Sequence, residues 1–287
     1  MQNIIILGHR GKIGKDIHNY LKKNKNFNII VVKKNNFNQI FKYIRQVDVI
    51  INCVGEYKNK KNFLNSNYIF VKKILRSIKL TSKCPTLIHF SSCSIYQNTK
   101  NNLIYKNSKI SSKLSLYPKS KILAEKYIIS EHKKNYFNYL IIRIPQVLGN
   151  NFDNSSLKKI KKLFRYKIIF LIASLNSYYN YVLSHDINIF INKFLSQKFL
   201  KINKTILISE NISYKNLIIL MLFRYKTKLN NFEIFLSKVC CILLVYISKL
   251  NILNISLFKT LLNKKQYISS DNIKTTKLNK KNIFNLI

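Results

Sequence analysis

Tyr117 and Lys121 stand four residues apart in YPKSKILAEK, and that spacing places both on one face of a helix. A phenol in water titrates near pH 10, about three units too high to exchange protons readily at neutral pH. An adjacent ammonium favours the phenolate and lowers that value. Such a pair can serve as general acid and base beside a carbon that gains or loses hydride. Pro118 suits the first helical turn, where its missing N–H costs little. Upstream, HFSSCSIYQ (residues 89–97) closes an apolar run with Ser91 and Ser92. A hydroxyl at the carboxyl end of a strand could donate to an oxygen on which charge develops. Each signal has a plainer alternative: 18 tyrosines and 45 lysines produce Y-x-x-x-K by chance, and paired serines are ordinary turn formers.

Glycine adds a second, independent signal. The chain has only five in 287 residues, where average usage gives about 20. Three of the five form GHRGKIG as Gly8, Gly11 and Gly14, directly after the apolar Ile4–Leu7 run and before a helix-like stretch. Strand, glycine-rich turn and helix N-terminus together make the setting in which backbone amides can approach the phosphates of a dinucleotide.

These groups need a scaffold, and the hydrophobic pattern supplies one. Strands are predicted at 3–7, 28–32, 48–54, 86–90 and 139–144, with helical stretches at 15–23, 37–45, 65–79 and 116–130 between them. DVIINCV is apolar almost throughout, as expected of a strand covered on both faces. The alternation predicts an α/β chain with a Rossmann-like doubly wound parallel sheet. After Gly149 it weakens, with short strands expected near 168–171 and 205–208. The expected division is a dinucleotide-binding domain over 1–150 and a smaller, mainly helical C-terminal substrate lobe over 151–287, with segments around 180–200 returning to the first domain.

Bulk composition excludes several other classes. Hydrophobic residues make up 47%, too many for a disordered chain. The formal charge of +41 comes from 45 lysines and six arginines spread along the chain, beside an excess of Asn and Ile. That distribution reads as biased composition and not as a specific nucleic-acid surface, which would gather its charge and favour Arg. The five cysteines include no C-x-x-C pair, so neither a disulfide framework nor a metal site is expected, and a reducing compartment is. No signal peptide or transmembrane segment is expected; the most apolar stretch, 239–247, is too short to cross a bilayer. These features make the cytoplasm the expected location.

In order along the chain, the motifs resemble the extended short-chain dehydrogenase/reductase family, in its nucleotide-sugar epimerase/dehydratase branch. GHRGKIG resembles its G-x-x-G-x-x-G, DVIINCVG its fourth-strand motif and Asn67 its helix asparagine. FSSCSIY is similar to its Ser/Thr motif, YPKSKILAE to Y-x-x-S-K-x-x-x-E, RIPQVLG to R-x-x-N-V-Y-G, and YVLSHDI to a V-x-x-x-D-V segment that includes Asp186. LLNKKQYISSDNI resembles the closing stretch of the sugar lobe, and all five glycines, Gly55 and Gly149 included, fall on motif positions.

The resemblance implies roles. Tyr117 is the expected acid/base, Lys121 the group that binds the nicotinamide ribose and lowers the Tyr117 pKa, and Ser92 the donor to the reacting sugar oxygen. The cofactor would lie on Gly8, Arg10, Gly11, Lys12, Ile13, Gly14, Lys33, Val54, Gly55, Asn67 and Pro145, besides Tyr117 and Lys121. Asn67 could equally be a helix-supporting residue. The cofactor is NAD or NADP, and Arg10 with Lys33-Lys34 tilts the expectation towards NADP, because no acid follows the second strand. The segment from there to DVIINCV is also shorter than the family's usual form, so one strand near the adenine is expected to be missing or abbreviated. Dehydratases carry an Asp-Glu pair where this chain has Cys93 and Ser94, so elimination of water is not expected. What remains is an epimerase or 4-ketoreductase acting on a nucleotide sugar, with surface-polysaccharide synthesis as its setting and a homodimer as its assembly. The alternative is a non-catalytic NAD(P)-binding scaffold or sensor of the same fold.

Overall fold

A computed structural model describes residues 1–80, 83–96, 103–134, 136–150, 152, 157–158, 160, 178–197, 202–225 and 267–268. The first half alternates strands and helices. β1 (Gln2–Leu7), α1 (Lys12–Leu21), β2 (Phe27–Val32), α2 (Ile40–Tyr43), β3 (Val49–Asn52), α3 (Phe70–Lys79) and β4 (Thr86–Ser92) follow in order. A two-residue strand β5 (Leu103–Ile104), the long helix α4 (Leu116–His132), β6 (Asn138–Ile144) and β7 (Gln146–Leu148) come next. The later described elements are β8 (Tyr178–Leu183), α5 (Ser184–Leu195), β9 (Asn203–Leu207), β10 (Glu210–Ser213), α6 (Tyr214–Tyr225) and β11 (Tyr267–Ile268).

Six strands form one parallel sheet in the order β2-β1-β3-β4-β6-β9. Alternate side chains of a strand point to opposite faces, and here the two faces build two cores. Ile4, Ile6, Val49, Ile51, Ile88, Leu140 and Ile142 pack on one side with Ile17 and Leu21 of α1 and Ile187, Ile191 and Phe194 of α5. Ile5, Leu7, Ile50, Leu87, Tyr139 and Ile141 pack on the other with Phe70, Val71, Ile74 and Ile78 of α3 and Ala124 and Ile128 of α4. Helices on both faces are what make the strands nearly continuous in apolar residues.

The fold is the predicted Rossmann-like doubly wound sheet, and the shortened segment after β2 has its consequence. Residues 34–46 form only 3₁₀ turns and the single turn α2, with no strand among them, so β2 is the sheet edge. The helix predicted at 37–45 is thus broken into three pieces, anchored by Ile40 and Ile44 in the core. The helix predicted over 65–79 opens with a π-type turn at Asn65–Ile69 before becoming α3. β9 joins the main sheet beside β6, while β8 pairs with β7 and β10 in a separate three-stranded sheet. β11, from the motif near the C-terminus, pairs in parallel with β5. The strand expected near 168–171 and the apolar stretch at 239–247 lie outside the described residues. Among those residues, no helix is long and apolar enough to cross a membrane, and no three His, Cys, Asp or Glu side chains gather to hold a metal ion.

Candidate active site

The sheet order reverses between β1 and β3, and a crevice at the carboxyl ends of the strands opens at such a reversal. The turn after β1 lies there. Gly8 has φ +80°, and a Cβ on it would lie 2.8 Å from the Val54 amide nitrogen and 2.9 Å from the Cys53 carbonyl carbon. A Cβ on Gly14 would strike the Gly8 carbonyl. Hence the turn closes on backbone alone, with the Gly11 amide donating to Gly8 O at 2.9 Å and the Lys15 amide to Gly11 O at 2.8 Å. Gly11 is the N-cap of α1, and no side chain caps that terminus. Uncapped amides at a helix N-terminus favour an anion. Arg10 and Lys33 are exposed at the rim of this crevice, on the turn and just past β2. Arg10, His18 and Lys33, after burial, lower the pKa of His9.

At the end of β3, Asn52 turns the chain. Its Oδ1 accepts from the Val54 amide at 3.1 Å, while its Nδ2 lies 3.0 Å from Nδ1 of His89 on β4. An amide nitrogen can only donate, so the neutral His89 ring carries its proton on Nε2. His89 is wholly enclosed, and burial holds its pKa well below the ordinary histidine value.

Asn67 then joins this loop to α4. Its Oδ1 accepts from the Glu56 amide at 2.9 Å; its Nδ2 donates to Glu56 O at 3.0 Å and to Ser120 Oγ at 2.9 Å. Ser120 Oγ donates in turn to Tyr117 O at 2.7 Å. Asn67 sits in the π-type turn, whose extra residue per turn aims a side chain out of helical register. The result is a strut from the β3 loop to the first turn of α4. Asn67 therefore supports the helix pair as well as bordering the crevice: a Cβ on Gly55 would lie 3.3 Å from both Asn67 Oδ1 and Lys121 Nζ.

Lys121 is buried and donates from Nζ to Phe90 O at 3.0 Å. Burial lowers its pKa to about 8, against the raising influence of Glu125 and Cys53. One turn nearer the N-terminus, Tyr117 is half-buried, with its ring edge-on to Phe63 at 5.6 Å between centroids. Ser92 ends β4; its Oγ accepts from the Ser94 amide at 3.1 Å and lies 2.9 Å from Ser94 Oγ, and its side chain is close enough to Tyr117 to favour the phenolate. The sequence predicts a depressed Tyr117 pKa; the structure gives the opposite direction. Burial raises the Tyr117 pKa, and the neighbouring Ser92 side chain works against that rise. Lys121 is not among the groups that shift it, although the same ammonium acts to lower the pKa values of His89 and Cys53.

The remaining predicted positions fall into the same row. Lys12 and Ile13 open α1 beside the glycine turn, Val54 and Gly55 follow β3, and Pro145 follows β6. Together with Ser92, they place the candidate residues at the ends of neighbouring parallel strands and the first turns of α1 and α4. Asp186 is buried in the first turn of α5.

Sequence reasoning missed the support behind Lys121. Arg143 on β6 grips Glu125 on α4, with Nη2 to Oε2 at 2.6 Å and Nε to Oε1 at 3.1 Å. Its Nη1 donates to Tyr96 OH at 2.8 Å and to Lys106 O at 3.0 Å. Both residues stand on motif positions, Glu125 closing YPKSKILAE and Arg143 opening RIPQVLG, but nothing in the sequence pairs them.

A Rossmann-like sheet with an uncapped glycine turn at its switch point defines a dinucleotide-binding class of protein. The model of the NAD dependent epimerase/dehydratase family matches residues 4–188, most of the chain, and the protein belongs to that family. No curated protein matches it by sequence. Solved structures match in fold. UDP-glucuronic acid 4-epimerase from Bacillus cereus, solved with NAD, is 16% identical with a TM-score of 0.61 over 79% of this chain and 85% of that one. RMD from Pseudomonas aeruginosa, solved with NADPH, is 16% identical with a TM-score of 0.64 over 80% and 86%. dTDP-4-dehydrorhamnose reductase from Yersinia enterocolitica is 18% identical with a TM-score of 0.61 over 79% and 82%.

Proposed function

We propose that this protein is an NAD(P)-dependent nucleotide-sugar epimerase or 4-ketoreductase, serving surface-polysaccharide synthesis, in which Tyr117 is the acid/base. The observation that carries the reading is the convergence of Ser92, at the end of β4, on Tyr117, in the first turn of α4 and one helical turn from a buried lysine. Family membership and the likeness to structures of a UDP-glucuronic acid 4-epimerase and a dTDP-4-dehydrorhamnose reductase support the nucleotide-sugar class.

The residues present fit a dinucleotide. A Cβ would fill the cradle at Gly8 and Gly14, and the N-terminus of α1 offers uncapped amides for a pyrophosphate. Gly8, Arg10, Gly11, Lys12, Ile13 and Gly14 would hold the phosphates, and Lys33, Val54, Gly55, Asn67, Pro145, Tyr117 and Lys121 would line the rest of the site. When bound, the nicotinamide gives or takes the hydride. Lys121, fixed by Phe90 O, presents its remaining protons to the ribose. Tyr117, held as a phenol by burial, gives its proton to the sugar oxygen during reduction and takes it back during oxidation. Ser92 steadies that oxygen and the phenol together. Cys93 stands where a dehydratase carries an acid, and burial pushes its thiol pKa up, which leaves it unsuited to elimination.

The test is Tyr117→Phe, assayed on a panel of UDP- and dTDP-sugars and their 4-keto forms with NAD or NADPH. Turnover is expected to fall by about a hundredfold or more while cofactor binding persists. Undiminished turnover defeats the role given to Tyr117. Identifying the nucleotide released from purified protein separates the two activities: tightly held NAD marks an epimerase, and an empty site that accepts NADPH marks a reductase.

A further inference from the structure

A buried histidine in the middle of the sheet is linked to the glycine turn by hydrogen bonds whose directions are fixed. The Val54 backbone amide can only donate, and it donates to Asn52 Oδ1 at 3.1 Å. That bond decides which end of the Asn52 amide faces which way. Nδ2, a donor only, points at His89 Nδ1, 3.0 Å away. His89 Nδ1 is therefore the acceptor on which the other two groups rest. Turning the Asn52 amide over would set donor against donor at Val54. A proton on His89 Nδ1 would do the same at His89. Asn52 and His89 are paired in register across β3 and β4, at 1% and 0% exposure, so solvent does not compete for these bonds.

Packing does not account for a histidine here. His89 follows Leu87 by two residues, on the face of the sheet that packs against α3 and α4. A second leucine would fill that layer with no polar atom to satisfy. His89 brings two ring nitrogens, and Nε2 has no hydrogen-bond partner among the described residues. An enclosed polar atom left in that condition costs stability. What the ring adds that a leucine lacks is the bond to Asn52. Asn52 in turn holds the backbone beneath the glycine turn. The Cys53 amide donates to Leu7 O at 2.9 Å, and a Cβ on Gly8 would lie 2.8 Å from the Val54 nitrogen and 3.0 Å from Cys53 O. The Gly8 turn thus lies directly on the peptide between Cys53 and Val54.

We infer that His89 is a positioning residue for the dinucleotide: through Asn52 it fixes the Val54 amide and, with it, the backbone on which the Gly8 turn lies. The inference rests on the reading that NAD or NADP occupies this crevice. His89 is enclosed and acts through Asn52 alone. Burial and the Lys121 ammonium on α4 both act against its protonation, which keeps the ring neutral and able to accept.

Two substitutions separate this role from packing. In His89→Asn, Oδ1 hangs from Cγ as the histidine Nδ1 does, so it can still accept from Asn52. In His89→Leu the space is filled and nothing accepts. Affinity for NAD or NADPH, whichever the unaltered protein takes, is measured by isothermal titration. It is expected to fall about tenfold in the Leu variant, as befits the loss of one buried hydrogen bond. The Asn variant should recover most of that affinity, although it fills the space less well. Hydrogen exchange at the Val54 amide is expected to quicken in Leu and return towards normal in Asn. Unchanged affinity in Leu, or an Asn variant as weak as Leu, overturns the inference. A further check needs no variant to fold. ¹⁵N spectra of the histidines in the unaltered protein should show His89 neutral with its proton on Nε2, and a proton on Nδ1 overturns the inference. If the unaltered protein binds neither dinucleotide, the cofactor reading falls and the inference with it. If it binds one and the Leu variant binds equally well, the inference alone falls.

Discussion

Two strand–turn–helix units of the same sheet face the crevice, and they are built from opposite materials. The β1–α1 unit works by leaving side chains out. Its turn closes on backbone hydrogen bonds, its helix has no side-chain cap, and added Cβ atoms would meet backbone that cannot move aside. The β4–α4 unit works by putting side chains in. Ser92, Lys121, Ser120 and Glu125 each reach a partner on another element or on the backbone, and Arg143 ties α4 to β6. The lesson is that a site for an inert, anionic group can be made by excluding atoms, whereas a site that moves protons needs groups whose charge is set by neighbours. The first should fail when one carbon is added, and the second when one charge loses its partner.

The largest effect is expected in the second unit. Glu125→Ala strands the Arg143 guanidinium, 8% exposed, without its carboxylate. Removing one partner of a buried pair costs about 3–5 kcal/mol, which urea unfolding will measure. The double variant Glu125→Leu with Arg143→Met is expected to recover part of that loss, since no charge is then left unpaired. Full loss in the double variant would mean that the pair's geometry, and not its charge, holds α4.

A smaller loss is expected in the first unit. Gly14→Ala pushes a methyl into the Gly8 carbonyl and should cost about 2–3 kcal/mol, with cofactor affinity lost as the turn is forced open. Unlike the ion pair, it has no compensating second substitution, because its neighbours are backbone. Thermal unfolding with and without NAD or NADPH separates the two effects: a normal melting temperature with normal cofactor stabilisation would show that the turn yields.

The smallest effect is a slope. The Lys121 pKa falls from 10.5 to about 8 on folding. Between those values the unfolded chain holds more protons, so this group makes stability rise with pH across about 8 to 10.5 and contributes no slope below. Lys121→Met should flatten that rise relative to the unaltered protein, as followed by urea unfolding at several pH values. Equal slopes in the two proteins would place the Lys121 ammonium in a more solvated setting.

Part of this molecule was readable before any folding was considered. The glycine turn was legible because its requirement is local: Gly8 needs a positive φ, and the flanking apolar run and helix are adjacent in the chain. Tyr117 and Lys121 were legible because four residues is one helical turn. The missing strand after β2 was legible because a chain that short cannot cross the sheet again. Tertiary structure decided what depends on distant partners. Asn67 meets Ser120 across 53 residues of chain, and Glu125 meets Arg143 across 18. The direction of the Tyr117 shift also waited on packing, since burial of the phenol is its largest cause and how far a ring is buried is not written in the spacing. Spacing determines which side chains share a face; only the assembled sheet determines how far each lies from water, and it is that distance which sets their charge.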